Sequence, residues 1–131
     1  MLDDKDYCNY ETCVALKELG YNGTVGECSH FGAFYMNGKE IFYDRFYNSE
    51  LKENECLRVP LYLAQKWLRE EKNIDISVTI SPFEYFATIR EFVFWQGEYS
   101  WEKTIHPNGG KTYEEALLEG IKEAVKILKG K

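Results

Sequence analysis

The sequence predicts an α+β fold in which three helices lie on an antiparallel sheet of about five strands as a two-layer sandwich, in the order α-β-β-α-β-β-β-α. Three observations lead there. Residues 113–128 carry one wide apolar stripe at helical spacing. Ile76, Val78 and Ile80 alternate with Ser77 and Thr79, the two-residue period of a half-buried strand. Asn37-Gly38 sits between two aromatic-rich runs, and a type I′ turn needs the positive φ that Asn-Gly supplies, so a hairpin is expected there. Hairpins impose antiparallel pairing, and helices gathered on one face of such a sheet give two layers.

Each element has its own local reasons. Asn9 is the expected N-cap of a helix over residues 10–19, with Cys13, Leu16 and Leu19 inward. Gly20 fits the left-handed position that ends it, and Tyr21 is expected to pack back on the last turn. Residues 31–36 and 39–46 form the first hairpin, and the polar residues 47–57 read as a loop. Val59-Pro60 opens the second helix, whose apolar face is Leu63, Ala64, Trp67 and Leu68 and which Asn73 ends. Ser81-Pro82 breaks the 76–80 strand. A longer strand spans 85–95 and is aromatic on both faces, so part of its second face is expected to be covered by a partner or a long loop. Gln96-Gly97-Glu98 turns the chain into a returning strand, 99–105. The loop 106–110 leads to the last helix, where Thr112 and Glu115 have capping-box spacing. Gly120 interrupts the apolar stripe at a cost of about 1 kcal/mol in helix propensity, which marks a close approach to the sheet. The length, 131 residues, is that of one domain, and no repeat or linker divides it.

The composition narrows the function classes. A hydrophobic share of 44% provides a core. A net charge of -6 argues against wrapping nucleic acid, which requires a basic surface. No run approaches the ~20 apolar residues of a membrane span. The opening residues, Met1 to Asp6, are polar and acidic rather than those of a signal peptide. A cytoplasmic chain is expected, with Cys8, Cys13, Cys28 and Cys56 as thiols.

Each chemistry-bearing residue also has a plain structural role open to it. Cys8, Cys13, Cys28 and His30 offer thiolate and imidazole ligands for zinc, but without a Cys-x-x-Cys knuckle buried, inert cysteines are preferred. Cys28 and His30 stand two apart, on one face if in a strand, which allows a nucleophile and base. His106 is another possible base. No cysteine-hydrolase signature surrounds them. Glu84, Glu91, Glu98 and Glu102 are read as edge charges rather than an acid-base pair. Residues 22–26 lack phosphate-loop spacing, and 106–110, although it precedes a helix N-terminus that can hold an anion, is read as a plain strand-to-helix loop. No cofactor or metal is expected. Trp95, Tyr99 and Trp101 are the candidate partner-binding residues, since 16% aromatics is much to bury and exposed ones serve as protein anchors.

Three segments carry a resemblance: Tyr10 to Tyr21 (YETCVALKELGY), Val59 to Glu70 (VPLYLAQKWLRE) and Thr112 to Ile121 (TYEEALLEGI). In order and spacing they resemble the opening, middle and closing segments of a group of short uncharacterised proteins of bacterial and phage genomes. The chain departs from that pattern at Cys13 and in the aromatic hairpin. The resemblance implies a prophage or mobile-element setting and no catalytic residues. The leading expectation is a non-enzymatic, cytoplasmic protein-binding or accessory domain, whose partner is another protein or a second copy of itself. The alternatives are a thiol enzyme using Cys28 and His30, and an acidic mimic of nucleic acid.

Overall fold

The computed structural model describes residues 6–22, 33–36, 39–42, 55–93, 98–105 and 112–130; of 33–36, 39–42, 55, 93 and 98–100 it describes the backbone alone. Within them the chain is mixed α and β, with three helices and antiparallel strands. The elements are α1 (Tyr10–Glu18), β1 (Ala33–Met36), β2 (Lys39–Phe42), β3 (Glu55–Leu57), α2 (Leu61–Lys72), β4 (Ile74–Ile80), β5 (Tyr85–Val93), β6 (Glu98–Ile105) and α3 (Tyr113–Lys129). Two corrections follow. Residues 55–57, expected in a loop, are a strand. The described strands form two three-stranded sheets, β2-β1-β3 and β4-β5-β6, where one sheet of about five was expected. The contacts divide the chain into two compact units, residues 1–60 and 61–131.

In the first unit, α1 starts where Asn9 accepts a hydrogen bond from the Thr12 N–H at 3.1 Å. It ends in a Schellman motif: Gly20 has φ of 106°, its N–H reaches Lys17 O at 3.0 Å, and the Tyr21 N–H reaches Leu16 O at 2.9 Å. Tyr21 is buried, as its place after the motif requires. Met36 pairs with Lys39, so the β1–β2 hairpin closes across residues 37 and 38, where Asn-Gly predicts it. β3 joins the other edge of β1, Cys56 opposite Tyr35. Replacing Asn9 with alanine leaves the Thr12 N–H without its cap and should cost about 1 kcal/mol. A urea titration followed by circular dichroism will measure it; no loss would mean that the cap is idle.

In the second unit, α2 follows Pro60 and ends at Asn73, whose φ is 57°. Both α2 and α3 lie against β4, and α3 also crosses β5 and β6. The core between them contains Leu63, Ala64, Leu68, Ile74, Ile76, Ala87, Ile89, Ala116, Leu117, Ile121 and Ala124, all nearly or fully buried. Trp67, expected inward, is only half-buried, with the Lys72 ammonium 5.5 Å from its ring centre. Thr112 caps α3, accepting from the Glu115 N–H at 3.2 Å. Gly120 is the expected point of close approach, since a Cβ there would lie 2.7 Å from Ile76 Cγ2 and 3.0 Å from Ala87 Cβ. The Gln65 amide donates to Ile76 O at 2.7 Å, so α2 covers part of the outer edge of β4.

Candidate functional site

Burial along β4 fades from one end to the other. Ile74 and Ile76 are inaccessible, but Ile80, four residues beyond Ile76 on the same face, is 65% exposed. Alternation predicts a shared face, and the helix layer does not extend over the last residue of it. The connection to β5 is then tied tightly by one side chain. Ser81 Oγ accepts from the Phe83 N–H at 3.4 Å and the Glu84 N–H at 3.1 Å, and donates to Glu84 O at 3.1 Å. The Ser81 N–H also donates to Glu84 O at 2.8 Å. Such a serine turn fixes the backbone of the tip. Phe83 is 95% exposed on it, beside exposed Pro82. The tip thus presents two large apolar side chains, Ile80 and Phe83, on a hydrogen-bonded support, with Glu84 beside them.

Sequence reasoning passed over this tip and read Ser81-Pro82 as a break alone. The available signal was Phe83 in the middle of a four-residue connection, where a side chain has no neighbouring layer to enter. The aromatics expected to bind a partner are placed differently. Trp95 lies outside the described residues. Trp101 pairs with Glu91, while Tyr99 pairs with Phe92, so Ser100 is an extra residue and the ladder is bulged there. The two-residue period on which a shared face of Tyr99 and Trp101 depends is interrupted between them. Trp101 belongs to the helix-bearing face with Lys103, whose ammonium is 2.6 Å from Glu123 of α3, and is half-buried.

Among the described side chains, Glu84, Glu91 and Glu102 do not converge as an acid-base pair, and that of Glu98 lies outside them. Glu84 and Glu91 are seven residues apart along one strand direction, about 23 Å at strand rise. Glu102 is held by Arg90 at 3.2 Å on the face away from Glu91. Cys28, His30 and His106 lie outside the described residues. Among the described residues, no group of three or more Cys, His, Asp or Glu is placed to hold a metal ion.

Cys8, Cys13 and Cys56 are buried free thiols of the first unit. The Cys8 N–H donates to Val59 O at 2.8 Å, and the Val59 N–H donates to Cys13 Sγ at 3.4 Å. The Cys13 thiol donates to Cys8 O at 3.7 Å. Arg58 lies over the Tyr7 ring, 4.0 Å from its centre, beside the Tyr7–Pro60 bridge. Burial, and then the charge of Cys13, push the Cys56 thiol from 9.0 up to about 12, against a smaller opposing pull from Lys17. From pH 9 upward the unfolded chain therefore loses this proton while the folded chain keeps it. The unfolded state binds fewer protons, so the contribution is whole below pH 9 and is lost as pH rises toward 12. The urea midpoint should fall over that window, and less steeply in Cys56→Ala. An equal slope in both would remove Cys56 as the cause.

Among the described residues, no helix is long and apolar enough to cross a membrane. In comparisons with known proteins, the chain matches no family model, no curated protein and no solved structure.

Proposed function

We propose that this chain is a small accessory domain that binds another protein through the β4–β5 tip, with Phe83 and Ile80 as the anchor. The observation that carries the reading is the 95% exposure of Phe83 on a turn held by four hydrogen bonds around Ser81. A large apolar side chain on a rigid support loses little conformational entropy when a pocket takes it. Glu84 beside it and a net charge of -6 favour a pocket with a basic rim. Trp95, Tyr99 and Trp101 remain a second candidate surface on the following hairpin. The resemblance to short proteins of bacterial and phage genomes supports a mobile-element setting. Three free thiols among the described residues support a reducing, cytoplasmic location.

The test is site-specific photocrosslinking in the producing cell. A photoreactive phenylalanine analogue at position 83 should give a discrete adduct with one protein. The same analogue at Lys126, an exposed site on α3, should give none. The adduct should weaken at high salt, as a basic rim implies. Equal, diffuse labelling from positions 83 and 126 would overturn the reading, and a discrete adduct from position 101 alone would move the surface to Trp101. Phe83→Ser should change stability by no more than about 0.5 kcal/mol, so a lost adduct in that variant is not a folding defect.

A further inference from the structure

With Asn9 as N-cap, Cys8 is the residue before the cap and Cys13 is the fourth residue of α1. Side chains at these two positions meet across a helix start, where an apolar pair forms the hydrophobic staple. Here both members are cysteine. Cys8 is 1% exposed and Cys13 is fully buried. The Cys13 thiol donates to Cys8 O at 3.7 Å, which ties the two residues across the start of the helix. Val59 clamps the pair from the other side, its carbonyl holding the Cys8 backbone and its N–H directed at Cys13 Sγ. Two buried cysteines at the paired positions of a helix start, each tied to Val59, are arranged to be joined.

We propose that Cys8 and Cys13 form a redox modification site, in which a hydroperoxide converts the helix staple into a disulfide, with Cys13 as the attacking thiol and Cys8 as the resolving one. Cys13 sulfur is the one with a backbone donor aimed at it, the Val59 N–H at 3.4 Å, and this assigns it the attacking role. The Cys8 thiol is held above its ordinary range, first by its hydrogen bond to Cys13, then by burial and by the charge of Cys13. Cys13 thiolate attacks one peroxide oxygen: an S–O bond forms, the O–O bond breaks, and the leaving hydroxide takes a proton to become water. Cys8 sulfur then attacks Cys13 sulfur. The S–S bond forms, the S–O bond breaks, and the oxygen leaves as water with the proton from Cys8. Two thiols are oxidised by two electrons and one hydrogen peroxide is reduced to two waters. Burial behind the Tyr7–Pro60 bridge makes the first step wait for a local opening, so the reaction is slower than at an exposed cysteine.

The native full chain is treated with hydrogen peroxide, alkylated and digested with trypsin. Cys8 and Cys13 fall in one peptide, residues 6–17, and Cys56 in another, residues 53–58. The expected product is the 6–17 peptide lighter by two hydrogens and closed to alkylation, with Cys56 alkylated. Both thiols of 6–17 left open to alkylation, Cys13 joined to Cys56, or direct passage to sulfinic acids would each overturn the proposal. Roles are read with a sulfenate trap. Cys13 in Cys8→Ser should be labelled at least about tenfold more than Cys8 in Cys13→Ser, because the Val59 N–H is aimed at Cys13 sulfur, and equal labelling would overturn the assignment. Should either variant fail to fold, the trap applied to the wild-type chain with limiting peroxide answers the same question, because the label must fall on Cys13 rather than Cys8.

Discussion

Replacing Ile89 with alanine should lower the unfolding free energy by about 3–4 kcal/mol, whereas the same change at Ile80 should alter it by no more than about 0.5 kcal/mol. Ile89 is at the centre of β5, between Ile76 of β4 and Lys103 of β6, and is fully buried where α3 crosses. Alanine removes three carbons there, about 2.4 kcal/mol of transfer free energy, and an unfilled cavity adds the rest. The neighbours that line the hole are themselves fixed by ladder pairing, so little collapse is expected. Ile80 is the same residue type in the same sheet, but 65% of it already faces water. Its removal costs the fold almost nothing. Tryptophan fluorescence in urea reports on residues 61–131, since Trp67, Trp95 and Trp101 all fall there. Equal losses at the two positions would mean that strand propensity, not burial beneath α3, sets the stability of this sheet. A small loss at Ile80 has a second meaning: its apolar area, and that of Phe83, remain available to a partner.

What the sequence conveyed well was whatever depends on neighbours along the chain. The three helices, the caps at Asn9 and Thr112, the stop at Gly20 and the Asn-Gly hairpin register were all legible, because caps, turns and a 3.6-residue period are local events. What it conveyed poorly depends on neighbours across space. β3 has three residues and no period of its own, and it is a strand because β1 offers Tyr35 and its neighbours as partners. The division into two sheets is a choice of pairing partner, which alternation within a strand does not encode. The extra Ser100 in β6 changes which residues share a face, and no turn residue announces it. At the candidate sites the pattern repeats. Phe83 is exposed because its loop is short and tied by Ser81, a local fact that was readable. Ile80 is exposed because the helix layer stops short of it, which was not. The Cys8–Cys13 contact was readable too, once the cap at Asn9 is taken as the reference from which staple positions are counted.

Gly120→Val should destabilise the chain by about 3 kcal/mol, and Gly120→Ala by about 1–2 kcal/mol, although both residues favour a helix more than glycine does. Two effects oppose each other. Alanine recovers about 1 kcal/mol of helix propensity at an interior position. Its Cβ, however, would stand 2.7 Å from Ile76 Cγ2 and 3.0 Å from Ala87 Cβ, and neither atom moves freely. Ile76 is buried with its carbonyl held by Gln65, and its β-branching restricts χ1, so its γ-methyl has little room to turn aside. Ala87 Cβ is rigidly attached to a backbone paired with Val78 on one side and Ile105 on the other. The helix must therefore lift from the sheet, and the contacts of Leu117, Ile121 and Ala124 weaken with it. A double-mutant cycle separates the two effects. Ile76→Ala is costly by itself, but it removes the nearer obstacle, so Gly120→Ala added to it should be neutral or stabilising by up to about 1 kcal/mol. That reversal of sign is specific to a steric approach between α3 and β4. If Gly120→Ala stabilises the wild-type chain, the helix does not lie this close to the sheet, and the glycine has another reason to be there.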